Sequence, residues 1–179
     1  PVYCGKTEGL GEMSRQMNRF CLEHLLPSRF RAETLPVLYN SWEATEFNVN
    51  VADQTRLAEI AAGIGVELFV MDDGWFGKRN DDNSSLGDWQ VNEKKLGGSL
   101  ADLIIRVHEQ GVKFGIWIEP EMANTTSELY EKHPDWVLKA SERDVVLGRG
   151  GTQVVLDLAN PAVQDFVFGV VDNLMTSYP

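Results

Sequence analysis

The sequence predicts an α/β protein: about the first half of a (β/α)8 barrel, preceded by a linker helix. Three observations predict it. Apolar, β-branched and aromatic runs alternate in order with segments of helical spacing, the pattern of parallel strands joined by right-handed crossovers. The run at 66–71 is continuously apolar apart from Glu67, as a strand buried on both faces requires. Each strand-like run ends in tryptophan and acids (NSWEA, DDGWF, WIEPEM), and neither GxGxxG nor a P-loop follows any of them. That favours a barrel over a nucleotide-binding doubly wound sheet. A complete barrel needs about 250 residues. The 179 residues here hold three strand–helix units and one more short strand.

Taken in order, residues 1–12 are glycine-rich and read as a connecting loop. Met13, Met17, Phe20, Cys21 and Leu25 recur at helical spacing, and Pro27 ends that helix after Leu26. Residues 1–35 are therefore assigned to a linker and helix, and 36–179 to the half barrel. Pro36–Trp42 reads as the first strand and Asp53–Ala62 as the helix after it, stopped near Gly63 and Gly65. Val66–Met71 is the second strand, and Gly77–Gly98 a long polar insertion. Leu100–Gln110 is the next helix, ended by Gly111, and Val112–Ile118 the third strand. A short helix over Thr126–Lys132 precedes a turn-rich segment. Val154–Leu158 follows as a further strand, and Pro161 opens a last helix to Thr176 with Phe166, Val167, Val170 and Leu174 on its apolar face.

Composition excludes several classes. The net charge of −11 argues against nucleic acid, which needs a basic footprint, and against an anionic membrane surface. No apolar run approaches the roughly 20 residues that span a bilayer. Cys4 and Cys21 form no CxxC motif and read as free thiols of a reducing compartment. His108 and His133 have no partner at ligand spacing, so no metal role is assigned. Asp81, Asp82 and Asn83 lack the glycine and closing glutamate of a calcium loop and read as solvated. Pro1 and Pro179 suggest that both ends are cut from a longer polypeptide.

Asp72 and Asp73 are the sharpest chemical signal. Adjacent residues are badly placed as a retaining glycosidase pair, which faces one bond from two sides about 5 Å apart. They are better placed to accept from two hydroxyls, against the plainer alternative of an exposed Asp-Gly turn. Trp42, Trp75 and Trp117 lie at or beside strand ends. An indole offers a flat apolar wall and one N–H, which suits the C–H face of a sugar, although a single tryptophan is more often core. Glu119 and Glu121 flank Pro120 and suit either acid–base work or simple ion pairing. Arg149, in LGRGG, suits bidentate donation to hydroxyl or carboxylate, or plain exposure.

The segments NSWEATEF, FVMDDGWFGKR, SLGDWQVNEKK, GIWIEPEM, HPDWVL and RGGTQVVLDLANP occur in an order that resembles bacterial α-galactosidases of glycoside hydrolase family 36. GLGEMSRQMNRFCLEHLLP resembles that family's connection from an N-terminal β-sandwich to the barrel. The resemblance covers nearly the whole chain. It implies a retaining exo-glycosidase that removes terminal α-linked galactose from melibiose, raffinose and stachyose, with carboxylates alone and no metal or organic cofactor. It implies that Asp72 and Asp73 bind galactose hydroxyls, those at C4 and C6, that Trp42 and Trp117 line the subsite, and that Arg149 contacts the sugar. Trp75 belongs to the same motif. The family's KxD nucleophile motif and its acid/base aspartate are absent from the sequence and expected after residue 179. The resemblance further implies a cytoplasmic homo-oligomer. Two alternatives stand beside it: a non-catalytic sugar-binding paralogue, and a sibling α-N-acetylgalactosaminidase or galactosyl transferase. A half barrel also leaves an unpaired strand edge, so the chain alone is expected to associate and to be inactive.

Overall fold

The computed structural model describes residues 9–30 and 34–178. The chain divides into two compact units, Pro1–Pro36 and Val37–Pro179. Of the loop expected over residues 1–12, residues 1–8 lie outside the described residues, and Cys4 with them.

In the first unit the helix α1 (Gly9–Phe20) begins four residues before Met13, where helical spacing placed its start. Glu12 accounts for the early start. In the first turn it accepts from Arg15 Nε at 2.9 Å, Gln16 Nε2 at 3.3 Å and Arg19 Nη2 at 3.1 Å, along the face that i+3, i+4 and i+7 share. The bond from Arg15 foremost lowers the Glu12 carboxyl below its ordinary range. Beyond Phe20 the helix widens into a π turn, Cys21–Leu25, closed by Leu26 N–H on Cys21 O at 2.8 Å. Pro27, which has no N–H, ends it. Cys21 is a free, exposed thiol.

The second unit is built on a parallel sheet in the order β1 (Leu38–Asn40), β2 (Leu68–Met71), β3 (Lys113–Ile116). Leu38 stands opposite Leu68, and Met71 opposite Ile116. The crossovers are α3 (Val51–Gly63) and α5 (Leu100–Glu109). Both begin on side-chain caps: Asn50 accepts from Asp53 N–H, and Ser99 from Ala101 N–H. Phe69 and Met71 of β2 are wholly buried in one core with Ala58 and Ala61 of α3 and Leu100, Leu103 and Val107 of α5. Leu68 and Val70, on the opposite face of β2, are only half-buried.

Three elements depart from the sequence reading. The first strand stops at Asn40, because Trp42 opens the short helix α2 (Trp42–Thr45). The polar insertion 77–98 is partly interior, although Asp81, Asp82 and Asn83 are exposed as expected. Arg79, Leu86, Asp88 and Trp89 within it are buried, and it holds the one-turn helix α4 (Glu93–Leu96). Its polar letters hid this burial because partners outside the segment satisfy them. Asn124 Oδ1, for example, accepts Leu86 N–H at 2.8 Å.

The third departure is the run 154–158, which is not a fourth parallel strand. β5 (Gln153–Val155) pairs antiparallel with β4 (Met122–Asn124) in a separate two-stranded sheet. An apolar run records burial but not the strand it pairs with. The helix after β4, α6 (Glu128–Lys132), starts two residues later than expected. Ser127 Oγ caps it on Tyr130 N–H, and Asp88 takes the N–H groups of Glu128 and Leu129. The last helix, α7 (Pro161–Ser177), starts at Pro161 as expected, with Asn160 accepting Ala162 N–H at 3.0 Å. Among the described residues β3 pairs only with β2. An apolar cleft of about 230 Å³ lies where Phe114 and Ile116 of β3 face Val171 and Leu174 of α7.

Candidate functional site

The carboxyl ends of the three parallel strands form one rim, because the ladder onto β2 continues a residue past β1 and past β3. Ser41 N–H donates to Val70 O at 3.0 Å, and Trp117 N–H to Met71 O at 2.9 Å. Asn40, Trp42, Glu43, Asp72, Asp73, Trp117, Glu119 and Arg149 thereby surround a single open cavity of about 460 Å³, within the usual range of about 300–1,000 Å³ for small-molecule clefts. Five of the six residues that the resemblance assigns to the sugar site are here: Asp72, Asp73, Trp42, Trp117 and Arg149.

Trp75 is not. It is wholly buried, packed edge-on against Phe76 with ring centres 5.0 Å apart, and its indole N–H donates to Trp117 O at 3.0 Å. The expectation that it stands beside Trp42 and Trp117 is corrected: Trp75 supports the wall from behind. The Gly74 turn accounts for this placement. Gly74 has φ +100°, and a Cβ there would lie 2.8 Å from Phe47 O, so the chain reverses after Asp73 and carries Trp75 into the core.

The two aspartates differ in their surroundings. Asp72 is half-buried, accepts from Asn40 Nδ2 at 2.5 Å and, through its other oxygen, from Asp73 N–H at 2.8 Å. Asp73 is 4% exposed. Arg79, wholly buried, forks onto it, with Nε at 3.0 Å from Oδ1 and Nη2 at 2.8 Å from Oδ2, while Gly74 N–H donates to Oδ1 at 2.7 Å. The remaining guanidinium nitrogen, Nη1, donates to Ser84 O and to Asn124 Oδ1, each at 3.1 Å. A buried charge pair is tolerable only with this degree of satisfaction. Lys95 Nζ donates to Arg79 O, and burial foremost lowers the Lys95 ammonium below the usual lysine range.

Trp42 stands edge-on to Phe47 with ring centres 5.0 Å apart. Trp117 is backed by Phe76 and Trp89 at 6.5 and 6.2 Å. Arg149 lies in a glycine turn at φ +40° and donates from Nη1 to Asp82 Oδ1 at 2.9 Å. Glu119 faces the cavity, whereas Glu121 is exposed outside it. Burial foremost, and then the neighbouring Glu121 charge, raises the Glu119 carboxyl above the usual glutamate range.

The sequence reading missed Asn40, Glu43, Arg79 and Asn124. Asn40 and Glu43 lie in the NSWEA run that drew attention to Trp42, so proximity to that motif could have found them. Nothing local marks Arg79 or Asn124 as buried partners 45 residues apart. Among the described residues no cluster of three or more histidines, cysteines or acids is arranged to hold a metal ion. No helix among them is long and apolar enough to cross a membrane.

The chain is 54% identical over 161 residues to the bifunctional α-galactosidase/sucrose kinase AgaSK of Mediterraneibacter gnavus, covering 90% of this chain and 17% of that protein. It is 44% identical to α-galactosidase AgaA of Geobacillus stearothermophilus, covering 96% of this chain and 23% of AgaA. The structure of an AgaA variant in complex with stachyose superposes with a TM-score of 0.84 at 42% identity, covering 93% of this chain and 23% of that one. The chain thus spans no more than about a quarter of the length of these relatives. The family model described as Melibiase matches residues 2–179, and the chain belongs to that family.

Proposed function

We propose that this chain is the galactose-recognising part of a retaining exo-α-galactosidase acting on melibiose, raffinose and stachyose. The carrying observation is the cavity that gathers two aspartates, two indoles and Arg149 at one strand-end rim. AgaA variants with stachyose and with raffinose bound are among the structures it superposes on. In this reading the parallel sheet is the opening part of a (β/α)8 barrel, and the apolar cleft beside β3 receives the next strand.

The chemistry follows from the residue types. Asp72 and Asp73 have fixed carboxylates that accept from hydroxyls, a charge-assisted bond worth about 1.5–3 kcal/mol each. Trp42 and Trp117 offer apolar faces to the C–H side of the ring. Glu119 faces the same cavity, and its burial raises the carboxyl above the usual glutamate range. The nucleophile and the acid/base are carboxylates that residues beyond this chain supply, as in a retaining mechanism with the two groups about 5 Å apart. No metal or organic cofactor enters this scheme.

A full-length protein carrying this chain tests the reading on p-nitrophenyl α-galactoside, raffinose and stachyose. Release of galactose, first as the α-anomer, is the expected result. Turnover only of the 2-acetamido analogue, or galactose binding without hydrolysis, points instead to the sibling enzyme or to the non-catalytic paralogue.

A further inference from the structure

The two ends of the cavity's charge pattern are joined behind its wall. Asp73 is forked by Arg79. Arg79 Nη2 also lies 3.7 Å from Asp82 Oδ1, and that same oxygen accepts from Arg149 Nη1 at 2.9 Å. Asp73, Arg79, Asp82 and Arg149 therefore form a chain of alternating charge. Its interior members lie off the cavity and its two ends lie on it.

The burial of the members is graded. The Arg79 and Asp73 side chains are 0% and 5% exposed, those of Arg149 and Asp82 60% and 51%. The inner pair holds because each partner satisfies the other where water cannot. The outer pair is open to solvent, and alone it contributes little. What fixes the outer pair is its loop. Asn83, next to Asp82, accepts from Thr152 Oγ1 at 2.9 Å through its side chain and from Thr126 Oγ1 at 2.7 Å through its carbonyl. Asp82 O accepts from Asn124 Nδ2 at 3.0 Å, and Asn124 is the residue that receives Arg79 Nη1. The loop that carries Asp82 is thus pinned to the same side chain that orients Arg79.

We propose that Arg79 and Asp82 are positioning residues that set Asp73 and Arg149 at a fixed spacing across the sugar site. This rests on the galactose reading of the cavity. Arg79 holds the plane of the Asp73 carboxylate, which leaves its outward lone pairs facing the cavity. Asp82 holds the Arg149 guanidinium over the opposite side. Neither touches the sugar, and each acts through the end residue it grips.

Calorimetric titration of a full-length protein with galactose tests this on five variants: Asp73→Asn, Arg79→Lys, Asp82→Asn, Arg149→Met and the double variant Asp82→Asn/Arg149→Met. Arg79→Lys keeps the charge and loses the fork, and is expected to raise Kd roughly tenfold or more. Asp82→Asn, a half-exposed change that leaves the core intact, is expected to raise Kd about two- to fivefold with Tm unchanged. A structural role acting elsewhere does not depend on Arg149, so the Asp82→Asn effect is expected to vanish in the Arg149→Met background. Wild-type affinity in both Arg79→Lys and Asp82→Asn, or an Asp82→Asn effect undiminished without Arg149, overturns the proposal while Asp73→Asn still weakens binding. If Arg79→Lys does not fold, the Asp82–Arg149 pair decides alone. Wild-type affinity in Asp73→Asn overturns the galactose reading itself, and the proposal with it.

Discussion

The indole N–H of Trp75 donates to the backbone carbonyl of Trp117 at 3.0 Å, which ties the buried core to the cavity wall. Trp75→Phe keeps most of the packing and leaves that carbonyl unpaired. It is expected to cost about 1–3 kcal/mol of stability and to lower Tm by a few degrees. Its effect on galactose affinity is expected to be small beside that of Trp117→Ala. Calorimetric unfolding together with galactose titration checks this, and a large loss of affinity at unchanged Tm returns Trp75 to the sugar wall.

Gly74 is the point at which the site motif turns. Gly74→Ala forces a side chain into φ +100° and places its Cβ 2.8 Å from the Phe47 carbonyl. A loss of roughly 1–3 kcal/mol or more is expected, read as a lower denaturation midpoint. A midpoint equal to wild type contradicts the turn described here.

The raised Glu119 carboxyl fixes the sign of a pH effect. In the folded protein Glu119 binds its proton more tightly than in the unfolded chain. Its ionisation therefore opposes folding as pH rises from the ordinary glutamate range through the raised value, and the penalty is complete above that. Glu119→Gln removes it. The variant is expected to melt higher than wild type at neutral pH, with the gain fading on acidification to about pH 4. A gain independent of pH sinks the assignment.

The parallel sheet was legible because buried strands and helical spacing leave a period in the sequence, and Pro161 marks a helix start; the helix expected from Asp53 begins at Val51, on the Asn50 cap that spacing alone passed over. The rim was legible for the same reason, since acids and indoles following apolar runs stand out. Pairing was not legible. Nothing in residues 153–155 distinguishes a parallel partner from the antiparallel β4 that they take. Nor was burial within a polar segment. Arg79 and Asn124 are hydrophilic letters whose interior position depends on meeting each other across 45 residues. Trp75 was misplaced because it stands beside the same strand end as the aspartates, and the turn at Gly74 that carries it into the core shows in the sequence only as a glycine.

The edge of β3 and the apolar cleft beside α7 bear on the isolated chain. Unpaired edges and open apolar surface recruit other copies. The 179-residue chain alone is expected to sediment as associated species whose size grows with concentration, and to leave p-nitrophenyl α-galactoside intact. A cooperatively folding, active monomer contradicts both statements.

A crystal of a full-length protein with galactose bound decides whether this rim of strand ends is a hexose site. The ring is expected between Trp42 and Trp117, with its hydroxyls donating to Asp72 and Asp73. Galactose bound elsewhere, with this cavity holding only solvent, contradicts it.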